Sequence, residues 1–477
     1  MGLALLLAAC ASVPLPPAPG LQAPSHWQAP SPAGVAAASS GLPHQGRLED
    51  LLAWWRQQGD PLLVELIAAG QQVSPSIAAA RTRLAQAQAA RVGSGADLTP
   101  SVDAAGSLTR SRSLLAPNIP AASITTARLG LQTSWEIDVF GGRRAELAAA
   151  EQRLLGAQAD WHDARVSVAA EVAVQYDLLR QCRRLEEIAR RDTASRAENA
   201  RLSELSSRAG FTAPAVVALA RASAADAASR ALQQSAQCEL DTKALVALTA
   251  MDEPALRQRL TGLPTAEPLV LPPLLLDPIP AQALAQRPDV FSAERAVLAA
   301  RADIAGVDAQ RYPRLVLSGF VGQSSLRAGG NTTELPSWSL GPLSLTLPVF
   351  DAGRRSAQTA AARARYDEAA AQYAARVRQA VREVETALVN LQSTAERGPQ
   401  VQTAVAGYQA AFQGTEARWK AGLASLVELE DARRQLLAAQ IAQADWQTQV
   451  RAAHVSLYRA VGGGWSPALL AQAVPSR

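Results

Sequence analysis

The sequence predicts a mainly α-helical fold built twice over from one plan, in which a pair of β-strands precedes a long antiparallel helical hairpin. Three observations carry that prediction. Alanine supplies 102 of the 477 residues, and it is the side chain that loses least entropy on entering a helix. Residues 143–210 contain no proline, so one continuous helix there would extend about 100 Å. Short motifs also recur at a nearly constant interval. Pro100 answers to Pro313, Phe140-Gly141-Gly142-Arg143-Arg144 to Phe350-Asp351-Ala352-Gly353-Arg354-Arg355, Glu171-Val172 to Glu383-Val384, and Arg208-Ala209-Gly210-Phe211 to Lys420-Ala421-Gly422-Leu423. Counted at Pro100, Gly142, Glu171 and Gly210, the intervals are 213, 211, 212 and 212 residues, which marks a tandem duplication almost free of insertions.

The chain opens on a short apolar run, Met1-Gly2-Leu3-Ala4-Leu5-Leu6-Leu7-Ala8-Ala9-Cys10. Leu7-Ala8-Ala9-Cys10 resembles a bacterial lipobox, although no Lys or Arg precedes it. On that reading residues 1–9 are a signal peptide and Cys10 is the lipidated mature N-terminus; the alternative is an ordinary buried or disordered cysteine. Residues 10–46 are rich in Pro, Ala, Ser and Gly, cannot bury a core, and read as a lipid-anchored tether. The first repeat then spans 47–260 and the second 283–465, followed by a tail at 466–477. Between them the linker 261–282 has prolines at 264, 268, 272, 273, 278 and 280, and reads as an extended connector rather than helix or strand.

Inside the first repeat Leu129, Leu131, Trp135, Ile137 and Val139 fall on one face and Arg128, Gly130, Gln132, Ser134, Glu136 and Asp138 on the other. Period two is strand, not helix. The segment after Pro100 is its weaker partner. In the second repeat Leu343, Leu345, Leu347 and Val349 alternate with Ser344 and Thr346, and Leu315 and Leu317 begin the partner strand after Pro313. Helices follow over 143–210 and 215–253, reversing near Gly210, and again from Gly353 through Gly422 to Trp465. Gly398-Pro399 predicts a break or kink in the first helix of the second copy. Four strands cannot close a barrel, and their apolar faces stay in water unless several chains share one sheet.

Composition excludes several functions. The 46 basic and 42 acidic residues give a net charge of +4, and only Lys243 and Lys420 are lysine. No basic patch interleaved with aromatics argues for nucleic acid. His26, His44, His162 and His454 stand far apart, so neither a metal site nor a cofactor is expected. No nucleophile, base and orienting group form a catalytic constellation, and the chain does not read as an enzyme. No apolar run has the length of about 18 residues that a spanning helix needs. Cys182 and Cys238 lie 28 residues either side of Gly210 and so reach one height in an antiparallel hairpin, either as a disulfide or as two small buried thiols.

Several segments together are similar to the TolC-like outer-membrane efflux protein family, in its lipoprotein, NodT-like branch. They are Trp54-Trp55, Ser134-Trp135-Glu136-Ile137-Asp138-Val139-Phe140-Gly141, Gln286-Arg287-Pro288-Asp289-Val290, Gly341-Pro342-Leu343-Ser344, Pro348-Val349-Phe350-Asp351 and Gly462-Gly463-Gly464-Trp465. The resemblance implies a homotrimer in which four strands per chain complete a 12-stranded outer-membrane barrel, continued by a helical tunnel across the periplasm. It also implies the partners of such a channel in an RND-type tripartite pump: a periplasmic adaptor protein, an inner-membrane RND transporter and outer-membrane lipid.

The family's constricting carboxylates fall on Glu428 and Asp431, three apart and so on one helix face. In a trimer they would form two negative rings that attract cations and raise one another's pKa. The alternative is a pair of solvated helix charges balanced by Arg433 or Arg434. Trp419 stands where the family has an aromatic that helps hold the closed state, and is equally suited to packing between helices. The family's basic gate partner is replaced by Ala424, and the first copy has apolar Val216 and Leu219 where the second has carboxylates. The tips Gly210, Phe211, Gly422 and Leu423 are the expected adaptor-docking surface. The implied function is passive conduction of small molecules such as drugs from periplasm to exterior. A duct for polypeptide or metal ions, or a periplasmic coiled-coil adaptor without a barrel, are the other readings.

Overall fold

The computed structural model describes residues 15–17, 20, 23–29, 36–37, 54–113, 122–261, 275–276, 284–328 and 331–465. The signal segment 1–9, Cys10 and the tail 466–477 lie outside the described residues, as do most of the tether and the linker.

Helix α1 (Pro61–Val73) starts at Asp60, whose carboxylate accepts the backbone N–H groups of Leu62 and Leu63 while Pro61 takes the first helical position, where its missing N–H costs nothing. After α2 (Pro75–Ala96) come strands β1 (Ser101–Ser113) and β2 (Ala122–Ile137), then the 67-residue α3 (Gly142–Arg208) and the 36-residue α4 (Pro214–Thr249). Short α5 (Glu253–Thr261) closes the first copy. The second runs through α6 (Pro288–Ala309), β3 (Arg314–Ala328), β4 (Asn331–Thr346), the 67-residue α7 (Arg354–Lys420) and the 35-residue α8 (Leu426–Ala460). The duplication is thus matched from α2 to α4 by α6 to α8, each a helix, two strands and a long helical hairpin, while α1 and α5 belong to the first copy alone.

Pro399 does not break α7, which is continuous across it. Trp446 of α8 lies against this turn: its ring fills the space where a Cβ on Gly398 would sit, 2.8 Å away, and its indole N–H donates to the Thr394 carbonyl at 2.8 Å. The carbonyl that the missing Pro399 N–H leaves without its helical partner is that of Ala395, and this donor reaches the carbonyl next to it.

Contacts divide the chain into two compact units, each drawing on both repeats: Met1–Gly20, Thr82–Gln158 and Ser292–Ala375 in one, Leu21–Arg81, Ala159–Phe291 and Arg376–Arg477 in the other. The first unit holds the antiparallel sheet β1-β2-β3-β4. Its register places Trp135, Leu317 and Leu343 in one row, and Leu131, Val321 and Trp338 in another on the same face. Ser134, Ser318, Gln132 and Ser339 occupy the opposite face, as the alternation of side chains along a strand requires. A register shift between Leu317 and Gly319 keeps Leu340 and Trp338 on the apolar face with Leu343 and Leu345, which is what an extra residue in one strand does. Leu129, Leu131, Val321, Trp338, Leu340, Leu343 and Leu345 are all exposed in the single chain. Within this sheet β1 and β4 each pair on one side only.

The second unit is centred on aromatic packing that explains two of the sequence motifs. Trp54 stacks on Tyr458 at 4.4 Å, Trp55 meets Trp54 edge-on at 4.5 Å, and Trp465 packs on Phe291 at 5.0 Å. Buried Arg287 donates to both carboxylate oxygens of Asp289, to Glu383 at 2.7 Å and to the Ala460 carbonyl at 2.7 Å. Parts of the tether are seated rather than free. Trp27 is buried, the N–H groups of Gln28 and Ala29 both donate to the Glu385 carboxylate at 2.7 Å, and Tyr366 in the first unit donates to the Pro17 carbonyl at 2.6 Å. Ala36–Ala37 also pairs in parallel with Leu275–Leu276, so the linker contains a short strand.

Candidate functional site at the hairpin tips

Both hairpins reverse through the same backbone construction. In the first, Gly210 N–H donates to the Ser207 carbonyl and Phe211 N–H to that of Ser206; in the second, Gly422 N–H donates to Trp419 and Leu423 N–H to Arg418. This is the Schellman arrangement. It needs a left-handed residue, and Gly210 and Gly422 take φ of +80° and +75°, which glycine adopts without the strain a Cβ brings. The apolar residue after such a glycine ordinarily packs back on the last turn, but here the facing positions are Ser206 and Arg418. Phe211 and Leu423 are left 86% and 70% exposed.

Trp419 is half-buried. With Phe412, Val216 and Ala224 it packs on a buried cluster of Ala200, Ala220, Leu426 and Leu429. Val216, apolar where the second copy carries Glu428, therefore belongs to the seam between the hairpins.

Glu428 and Asp431 are 52% and 53% exposed and take different partners. Ser425 and Glu428 form a capping box: the Ser425 hydroxyl accepts from Glu428 N–H at 3.1 Å, and the Glu428 carboxylate accepts from Ser425 N–H at 3.1 Å. Arg418 lies 3.7 Å from the same carboxylate. The Ser425 backbone and hydroxyl donors, with Arg418 adding attraction, hold the Glu428 carboxyl below its usual range. Within one chain this is opposite to the raising expected from sequence, which requires a second carboxylate nearby. Asp431 pairs with Arg434, one turn further along α8.

Between these exposed groups lies Glu430, which the sequence reading passed over. It accepts from Arg433 at 2.6 Å, from the Ser223 hydroxyl at 2.9 Å and from Arg196. Arg196 also shares its Nε–H between both oxygens of Asp192 at 2.9 Å, while Arg433 donates to the Ser195 hydroxyl at 2.9 Å and stands over the Phe412 ring at 5.4 Å. Burial pulls the Arg433 guanidinium down and the Glu430 charge opposes it. All four hairpin helices contribute, so the network is a polar bolt through the bundle just behind the tips. Further back, Cys182 on α3 and Cys238 on α4 form a disulfide with their Cα atoms 5.5 Å apart.

An exposed apolar sheet face with open edges, carried by a chain that is otherwise long paired helices, defines an outer-membrane channel subunit with a barrel portion and a helical portion. The profile of the family described as "Outer membrane efflux protein" matches residues 66–251 and 279–463, and the chain belongs to that family. It is 30% identical over 470 residues to OpmQ, the pyoverdine export outer membrane protein of Pseudomonas aeruginosa, covering 97% of this chain and 95% of that one. Among solved structures it resembles the outer-membrane channel OprN, with a TM-score of 0.77 at 27% identity over 94% of this chain and 99% of that one. It also resembles VceC of Vibrio cholerae, with a TM-score of 0.75 at 27% identity, covering 87% and 99%. The protein is an efflux channel of the outer membrane with an α-helical extension into the periplasm, and its four strands are one chain's share of the barrel.

Proposed function

We propose that three copies of this chain close a 12-stranded barrel and a helical tunnel, that the tunnel is shut at the hairpin tips, and that docking of a periplasmic adaptor opens it for small molecules delivered by an inner-membrane RND transporter. The observation that carries the reading is the sheet: one apolar face in the open and two unpaired edges on four strands. A bilayer tolerates that only when every backbone group is paired by closure. Cys10 is the proposed lipid anchor, and the seated segment around Trp27 ties the chain that follows it to α7. Glu428 and Asp431 are the proposed carboxylate rings of the aperture, with Trp419 fixing the turn behind them. Phe211 and Leu423 are the proposed adaptor contacts, since apolar groups so exposed at corresponding tips gain by being covered. Conduction itself needs no covalent chemistry. The cargo proposed is small amphiphilic molecules such as drugs, chosen by the inner-membrane partner.

The test is to replace Phe211 and Leu423 by Asp and measure drug efflux in cells beside conductance in planar bilayers. Loss of efflux with unchanged conductance supports docking at the tips. Unchanged efflux contradicts it.

A further inference from the structure

The sheet carries a feature that conduction does not use. Following the apolar face from the helix-connected strand ends toward the turns, the rows run through Trp135, Leu317 and Leu343, then Leu131, Val321 and Trp338. They end in a row where Arg110 of β1, Thr125 of β2 and Arg327 of β3 stand side by side. Arg112 follows two residues further along β1 on the same face. Arg128 has the other parity and belongs to the polar face. All three arginines are exposed, and none makes an ion pair among the described residues. The one carboxylate on this face near them, Glu334, lies opposite Ser325, one row inward.

A guanidinium on a lipid-facing strand is costly at mid-membrane and nearly free at the interface, so its depth decides its meaning. From Ile137 to Thr125 a strand climbs about 40 Å, or about 30 Å once tilted as barrel strands are, which is the thickness of the hydrocarbon layer. The arginine row therefore sits where hydrocarbon gives way to headgroups. Because β1, β2, β3 and β4 continue at their other ends into the helices that extend into the periplasm, this is the outer margin. We propose that Arg110, Arg112 and Arg327 form a binding site for the phosphate groups of the phosphorylated glycolipid, lipid A, of the outer leaflet. Arg110 and Arg327 are two strand spacings, about 10 Å, apart, with the Thr125 hydroxyl between them as a further donor. A guanidinium fork suits phosphate oxygens in pairs, and here it takes the place of the divalent cations that otherwise bridge such headgroups. The proposal rests on the outer-membrane location of the sheet, not on the gate or the docking tips.

The experiment is native mass spectrometry of the full-length channel, titrated with bisphosphorylated lipid A, with its dephosphorylated form, and with phosphatidylglycerol. Wild type should retain bisphosphorylated lipid A in preference to both others. Arg110→Gln and Arg327→Gln should each weaken retention about fivefold, the attraction of one basic group for an anionic headgroup surface, and Arg128→Gln should leave it unchanged. Arg327→Lys, which keeps the charge and loses the fork, should fall between. Equal retention by wild type and the two glutamine variants overturns the proposal, as does equal binding of phosphatidylglycerol. A drop in oligomer stability without any change in lipid retention would assign Arg110 instead to an interchain pair with Glu334 of the next copy. Conductance recorded on the same variants stays at the wild-type level if the proposed function holds, so failure of this inference is distinguishable from failure of that reading.

Discussion

Arg196 of the first hairpin and Glu430 of the second meet in an ion pair that is almost wholly removed from water. Asp192, Ser223 and Arg433 complete its hydrogen bonds. Such a pair contributes little compared with an apolar replacement, but removing one partner strands the other in the interior. Glu430→Ala should therefore destabilise the tip region by about 3 kcal/mol or more, and Arg196→Ala by a similar amount. The double variant should cost clearly less than the sum, because the two act as one unit. Denaturant or thermal unfolding of the four proteins in the cycle checks this; additive losses would show that the hairpins are not coupled here.

Glu428 caps α8 and is also a proposed carboxylate of the aperture, and its substitutions divide the two. Glutamine can close the capping box as glutamate does, whereas alanine cannot. Asp431→Asn with Glu428→Gln should raise single-channel conductance and weaken block by multivalent cations while leaving the start of α8 intact. The corresponding pair of alanine substitutions should change the channel in the same way and also fray the first turn of α8, since alanine cannot return a bond to the Ser425 N–H. Block by a trivalent cation in planar bilayers reads the first effect, and amide exchange at Leu426 to Glu430 reads the second. Unchanged block in both double variants would return these carboxylates to the role of solvated helix charges.

The same cap sets a pH dependence. The folded-state pKa of Glu428 is depressed, so its contribution is present above the ordinary glutamate value of 4.5 and is lost as pH falls through the lower folded value. The protection of amides at the beginning of α8, measured against their intrinsic exchange rates at each pH, should fall in acid for wild type and show no such step in Glu428→Gln.

Cys182 and Cys238 enclose a loop of 56 residues. A crosslink of that span constrains the unfolded chain by about 4 kcal/mol in the chain-entropy description. Cys182→Ser with Cys238→Ser should lower stability by up to that amount and abolish the effect of reductant on unfolding. Free thiols at both positions in a non-reducing tryptic map of protein extracted from outer membranes would contradict the bond.

Gly130 and Gly322 face each other across β2 and β3 beneath the Phe320 ring. A Cβ at Gly130 would lie 2.7 Å from the Gly322 Cα, 2.8 Å from Phe320 Cζ and against the Val321 carbonyl. Gly130→Val should block pairing of the two central strands and with it the appearance of an SDS-resistant oligomer, while helix content by circular dichroism is retained. An oligomer of normal heat resistance would show that the sheet tolerates the side chain.

The helices and the strands β2 and β4 were legible because their signals are local: proline-free alanine-rich runs, period-two alternation and the matched glycines. The Schellman turns followed from Gly210 and Gly422, and the Ser425 to Glu428 spacing carried a capping signal that only acquires meaning once Gly422 ends the preceding helix. The ionic bolt was not legible. Asp192, Arg196, Glu430 and Arg433 look like any solvated helix charges until the helices are packed, since burial of a charge is decided by neighbours more than 200 residues away in sequence. Pro399 does not break α7, and the Trp446 ring that packs on the neighbouring turn comes from another helix, out of reach of a local reading. The seating of Gln28 and Ala29 on Glu385 was hidden in a stretch whose composition predicts only a tether.

Everything proposed for the tips and the sheet depends on three copies of this chain assembling into a membrane-inserted conduit. Native mass spectrometry of the full-length protein extracted from outer membranes, followed by planar-bilayer recording of the same preparation, tests it most directly. The expected result is the mass of three chains and discrete conductance steps of one size. A folded monomer or dimer that never conducts would contradict it and favour a periplasmic helical scaffold without a barrel.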